Sequence, residues 1–400
     1  MKGEESRTRN DLVAHAITSG PRNHFFGYYG IQPWDPTGRY LLSLEVPFQD
    51  HPPLPDEKAT IGMVELSSRK FIALSETSAW NFQQGAMMHW LPNSSGSELI
   101  FNDRVGKRAV SVILNVRTRE RRVLGRAIGA VSHDGRTALG LNFGRLQWAR
   151  PGYGYAGVSD PFLEDPYPSG DGIYLLDIET GDETQVIALK EIVEHYKPNK
   201  ARLSQVFFIH PTYNTTDNRF AFFVQWKHYP LPKFSRLRNL GSLKTALFTV
   251  GIDGSNLCRL IDYGQASHFD WRNSEEILIW AKLGGRECFH LVTDGGDEYR
   301  PIAQSLLAED GHCSFSPDGR WVLVDTYPDR NHFSTLKLYN WERDSQVILG
   351  RYYADPKYVA EIRCDLHPRW NRTGSEICFD SIHEGNRQVY TLDVSELTLR

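Results

Sequence analysis

The sequence predicts an all-β protein: a single seven-bladed β-propeller of four-stranded antiparallel blades over residues 1–400. Three observations carry this. A turn rich in Pro, Asp, Asn and Gly followed by a short apolar strand recurs seven times. An alternating strand ending in a polar turn follows each copy, again seven times. Helical periodicity is scarce, with 187–197 (VIALKEIVEHY) the only stretch that reads as a short helix.

The first pattern runs through WDPTGRYLLSL (34–44), WLPNSSGSELIF (90–101), VSHDGRTALGL (131–141), YNTTDNRFAFF (213–223), WRNSEEILIW (271–280), FSPDGRWVLV (315–324) and WNRTGSEICF (370–379). The second runs through IGMVELSSRK, SVILNVRTRE, IYLLDIETGD, LFTVGIDGSN, CFHLVTDGGD, LKLYNWERDS and VYTLDVSE. A spacing of roughly 55 residues suits four short strands per blade, and radial repetition hides sheet edges. The first turn lies near the N-terminus and the last alternating strand near the C-terminus. Segments 24–44 and 386–395 are therefore expected as neighbours that close the ring, with 1–20 as an N-terminal extension.

Composition narrows the function. A net charge of −4 gives no general attraction to nucleic acid or anionic membrane. No apolar run approaches the ~20 residues needed to span a bilayer, and the charged N-terminus has no secretory h-region. Five cysteines, odd in number and without framework spacing, suit a reduced compartment. The expectation is a cytoplasmic monomer, and the sequons at Asn93, Asn214 and Asn371 then carry no meaning. Two insertions, 144–171 and 227–244, exceed blade turns and are expected on the binding face. The second is basic (Lys227, Lys233, Arg236, Arg238, Lys244), which suits an anionic ligand or a plain solvated loop.

Histidines repeat in phase with the blades. His210, His268, His312 and His367 each precede the aromatic of the turn motif (Tyr213, Trp271, Phe315, Trp370) by three. In a propeller this position belongs to the innermost strand, so the four converge on the channel. With Asp270, Cys288, Cys313 or Asp365 nearby, His268, His312 and His367 are candidate ligands for a divalent metal (zinc, manganese or calcium), catalytic or structural. The bland alternative is a ring of histidines bonded to one another, to water and to an anion.

The stretches HFFGYYGIQPWDPTGRYLL (24–42), QQGAMMHWLP (83–92), LNFGRLQWARPGYGY (141–155), EDGHCSFSPDGRWVLVDTYPD (309–329) and EIRCDLHPRWNRTGSEICFDSIHEG (361–385) resemble a group of propeller carbohydrate enzymes. That group includes ulvan lyases, rhamnose–glucuronate lyases, related α-L-rhamnosidases and, more distantly, oligogalacturonate lyase. The resemblance spans nearly the whole chain and implies β-elimination at a uronic acid, or hydrolysis of a rhamnose attached to one. Elimination needs the carboxylate charge masked, a base for the C5 proton and an acid for the departing O4.

His89, which interrupts the apolar strand AMMHWL on a blade whose in-phase position is Met87, is the sharpest base candidate; the rhamnosidase relatives resemble this segment with a non-ionisable Gln. Arg150 and Arg145 are candidate carboxylate neutralisers. Tyr155 and Tyr153 of PGYGY are candidates for acid or sugar-stacking roles, and the resemblance to oligogalacturonate lyase suggests His210 as an acid/base group. His24, whose counterpart in the rhamnosidases looks catalytic, joins Arg104, Trp226 and Lys227 as candidate substrate contacts. The expected function is a lyase on a rhamnose–glucuronate or ulvan-like oligosaccharide. An α-L-rhamnosidase and a non-catalytic sugar- or protein-binding propeller are the alternatives.

Overall fold

A computed structural model describes residues 5–9, 12–196, 203–228, 243–264 and 266–399. Its sheets form seven radial blades spanning 23–77, 89–124, 128–188, 203–264, 266–301, 313–353 and 369–393, called blades 1 to 7. In each, four antiparallel strands follow in sequence order, the exception being blade 7, whose fourth strand comes from the other end of the chain.

That fourth strand is His15–Ala16, paired antiparallel with Gln388–Asp393. The backbone bonds Ile17 N–H to Val389 O (2.9 Å) and His24 N–H to Arg387 O (2.8 Å) complete the closure. Glu5–Thr8 adds a fifth, parallel strand to blade 6 along Ser345–Tyr353. The expected contact between 24–44 and 386–395 is present. Reading 1–20 as a mere extension is corrected, because this segment supplies edge strands to two blades.

The aromatic of the turn motif packs between blades. The buried indoles of Trp90, Trp271 and Trp370 donate to the carbonyls of Pro33, Thr212 and Ser314 on the preceding blade, at 3.0, 3.1 and 3.3 Å. This is why an amphipathic ring recurs there: its face fills the interblade core while its N–H satisfies a backbone acceptor. A second tie comes from the second strands of blades 2, 6 and 7. Asn102 bonds both the N–H and the C=O of Ile128 at 2.8 Å. Asp325 accepts the N–H groups of His312 and His367 (2.7 and 3.1 Å), and Asp380 those of Phe26 and Gly27 (3.1 and 2.9 Å).

Inner strands run from one mouth of the channel to the other. The mouth where they begin, called here the upper, also receives the connection between second and third strands of each blade. Both insertions are such connections, in blades 3 and 4. The first folds into a helix, Phe143–Ala149, and a loop. Most of the second, with Lys233, Arg236, Arg238 and the side chain of Lys227, lies outside the described residues. The helix expected over 187–197 is found at Leu189–Tyr196. No described helix is long and apolar enough to cross a membrane.

Candidate functional site

The in-phase position is where the inner strands break their regular pairing. Register shifts fall at Ile128/Ala130, Ile209/Thr212 and Ala266/Phe269, and Met87, His210 and His367 have positive φ (49°, 55° and 43°). A bulge re-aims one side chain while the strand continues, and here it turns the repeated residue into the channel. Left-handed backbone at non-glycine residues costs about 1–3 kcal/mol each, strain that tends to collect at functional sites.

At the upper mouth the rings of His268 and His312, and of His312 and His367, are each 4.1 Å apart by centroid. Tyr29 touches all three, at 5.9, 5.0 and 6.2 Å. Ligand atoms of His312, His367 and Asp365 lie within 4.8 Å of one another, all three residues buried. His312 Nδ1 sits 3.0 Å from both oxygens of Asp325, which leaves Nε2 as its donor atom. Two imidazoles and a carboxylate in a buried pocket fit a borderline divalent cation. Burial disfavours the charged form of Asp365, but Arg363, bound through Nε and Nη2 at 2.5 Å, keeps its carboxyl below the usual range.

His268 differs from this trio. Its Nδ1 is 3.0 Å from Asp310 Oδ1 and its Nε2 3.4 Å from the hydroxyl of half-exposed Tyr327. Burial and then the repulsion of His312 lower its pKa despite Asp310, so it is neutral. Since a carboxylate only accepts, Nδ1 carries the hydrogen and Nε2 keeps its lone pair. Asp365, and not His268, is therefore the third member of the compact donor group.

His210 stands apart from the trio. It stacks on Tyr28 (5.4 Å, 12°), whose hydroxyl is 2.9 Å from its Nδ1, and Tyr153 meets it edge-on at 6.0 Å. Burial, then Arg150, hold its pKa well below normal. Arg150 lies over the Tyr153 ring at 3.9 Å and donates to Gln225 Oε1 at 2.9 Å. Among the described residues it has no carboxylate partner, which leaves it available to an anionic ligand.

Other sequence candidates fall elsewhere. His89 does not share a face with Arg150. It lines a cavity of about 490 Å³ at the lower mouth with Asp270, Arg272 and the turn residues Pro92, Pro317 and Arg372. Two residues of strand, ~7 Å, separate His89 from the in-phase Met87, and the paired rings of Tyr28 and Tyr29 lie between the two mouths. His89 Nδ1 is bonded to Met87 O (2.9 Å), and burial lowers its pKa to about 4.

Tyr155 is fully buried, stacked on Phe143 at 4.4 Å and bonded to Asn102; burial raises its pKa, so it is core. Arg145, 1% exposed, pairs with Asp160 at 3.0 Å and donates to the carbonyls of Val206, Asp165 and Pro166, staking down the insertion. Arg104 spends its guanidinium on the carbonyls of Gly106 and Pro55. Trp226 is buried in the interblade core. His24 lies between Gln388 (3.1 Å), Glu45 (3.2 Å) and the edge of Phe71, away from the channel. Cys288 sits on a third strand beside His290, Cys313 is buried, and half-buried Asp270 accepts the N–H groups of Trp271 and Phe315.

Asp310, Asp325, Tyr327 and Arg363 were not singled out from the sequence. Asp325 and Asp380 both fall ten residues after their in-phase aromatic, a repeat that could have been read.

No protein-family model and no curated protein matches the sequence. Among solved structures the chain is similar to oligogalacturonate lyase from Vibrio parahaemolyticus (14% identity, TM-score 0.63, covering 96% of this chain and 94% of that one). It is likewise similar to an oligogalacturonate lyase in complex with manganese (14% identity, TM-score 0.65, 97% of each chain). At this identity the likeness establishes the fold class, a seven-bladed propeller in the form these lyases share.

Proposed function

We propose that this protein is a uronate lyase that cleaves a uronic-acid-containing oligosaccharide by β-elimination at the upper mouth, with 4-linked glucuronate in a rhamnose–glucuronate or ulvan-like chain as its substrate. The observation that carries the reading is a neutral histidine with a fixed tautomer, His268 on Asp310, packed against the His312/Asp365/His367 donor group. One structural neighbour is an oligogalacturonate lyase in complex with manganese, which supports a divalent ion as the cofactor.

A proton α to a carboxylate is too weakly acidic for an imidazole until the carboxylate charge is withdrawn. A divalent cation held by His312, Asp365 and His367 would supply that withdrawal when bound. Arg150, free of any described carboxylate, pairs with the substrate carboxylate or a neighbouring anionic group, and the Tyr153 ring beneath it holds its plane. His268 Nε2 accepts the C5 proton, and Asp310 stabilises the imidazolium that forms. His210 with Tyr28 forms the wall of the site in place of the acid/base role expected for it, because its ring is enclosed by Tyr28, Tyr153 and Phe223.

The test is far-ultraviolet absorbance of the 4,5-unsaturated uronate during incubation with a rhamnosylated glucuronate oligosaccharide. The native protein should give a steady rise. His268→Ala should slow it by ~10²-fold or more, the usual worth of a positioned base. Arg150→Lys should be nearly as damaging, since a bidentate clamp is lost although the charge remains. Near-native turnover in both variants would place the chemistry elsewhere, and free rhamnose without absorbance would mark a hydrolase.

A further inference from the structure

The lyase reading leaves the departing oxygen without a proton donor. We propose that Tyr327 is that donor, so that elimination is syn and selects uronates whose C5–H and C4–O bonds lie on one face of the ring. The inference rests on the lyase reading and adds to it a catalytic residue and a stereochemical rule.

Tyr327 lies on the connection between the second and third strands of blade 6, is 36% exposed at the upper mouth, and has its hydroxyl 3.4 Å from His268 Nε2. Its ring lies under Arg363 at 5.1 Å and against His268 and His312 at 5.9 and 5.8 Å. The hydroxyl therefore has a fixed position beside the one lone pair available to take the C5 proton. Acceptor and donor on opposite faces of a sugar would need at least about 6 Å between them, the ring plus a hydrogen-bond reach on each side. At 3.4 Å they can serve only one face. Glucuronate and mannuronate carry C5–H and C4–O cis; galacturonate carries them trans.

The proton count closes within the pair. The C5–H bond breaks and its proton passes to His268 Nε2, while its electron pair forms the C4=C5 double bond. The C4–O4 bond breaks, O4 keeps that pair and takes the Tyr327 proton. The phenolate so formed recovers a proton from His268 Nε2–H beside it, and both groups return to their starting state. No oxidant, reductant or solvent proton is consumed.

The experiment is Tyr327→Phe, which keeps the ring packing, with folding checked by thermal unfolding. In D₂O, with an oligosaccharide of 4-linked glucuronate, the variant should eliminate ~10²-fold more slowly. Deuterium should still enter C5 of the recovered substrate, read by NMR, because His268 is intact. The native protein should cleave the glucuronate oligosaccharide at least ~10²-fold faster than one of 4-linked galacturonate. Unchanged elimination in the variant, loss of exchange together with elimination, or equal cleavage of both uronates would overturn the assignment. A native protein that neither exchanges nor eliminates either uronate would overturn the lyase reading, and this proposal with it.

Discussion

His89 shows at the scale of one residue how the lack of a carboxylate partner can disqualify a catalytic candidate. Its imidazole has a backbone carbonyl on Nδ1 and, among the described residues, no carboxylate to oppose desolvation, so partial burial moves its pKa from 6.5 to about 4. The folded state then binds fewer protons than the unfolded chain between about pH 4 and 6.5, and stability must rise with pH across that window. The contribution lost on acidification is at most about 3.4 kcal/mol, the drop from 6.5 to about 4 at 1.36 kcal/mol per pH unit. His89→Gln should flatten this part of the stability-versus-pH curve, measured by urea unfolding at pH 4.5 and 7, and should leave elimination within a few-fold of native. A slope unchanged by the substitution would show that His89 does not titrate in this range. His268 is also part-buried, but its partners differ: Asp310 on its Nδ1 and the donor group of His312 beside it.

The blade is the unit that the sequence displayed most clearly. The turn-plus-strand repeat and the in-phase aromatic are local, so they survive divergence between blades and can be counted. The Trp271 N–H to Thr212 carbonyl bond is the physical content of one such aromatic. Trp271→Phe leaves that half-buried carbonyl without its donor and removes ring volume, and should cost about 2 kcal/mol in chemical unfolding; a cost near zero would mean that the interblade bond carries nothing. His268, His312 and His367 were legible for the same reason, a shared phase. The partners that give each its role were not, because Asp310, Tyr327 and Arg363 lie on connections between strands, where length and sequence vary from blade to blade. Tyr155 and Arg145 misled in the other direction. A Gly-Tyr turn and an arginine in a long insertion look like ligand contacts, yet that insertion needs its own core and its own buried ion pair to hold a shape.

Across the whole molecule, the ring sets seven inner strands around one channel, and Tyr28 and Tyr29 divide it into two mouths. Closure through His15–Ala16 fixes blade 1 against blade 7, and with it the positions of those two tyrosines relative to the histidines of blades 4 to 7. Among the described residues, the upper mouth combines the donor group, the neutral His268 and Arg150, which has no carboxylate partner there, and the proposed uronate chemistry rests on that combination. The most direct measurement is the mass of the products formed from a rhamnosylated glucuronate oligosaccharide in H₂¹⁸O. Elimination predicts that the two product masses sum to the substrate mass, with no ¹⁸O in either product and a double bond at the new non-reducing end. Products that together weigh one water more, with ¹⁸O at the new reducing end, would contradict it.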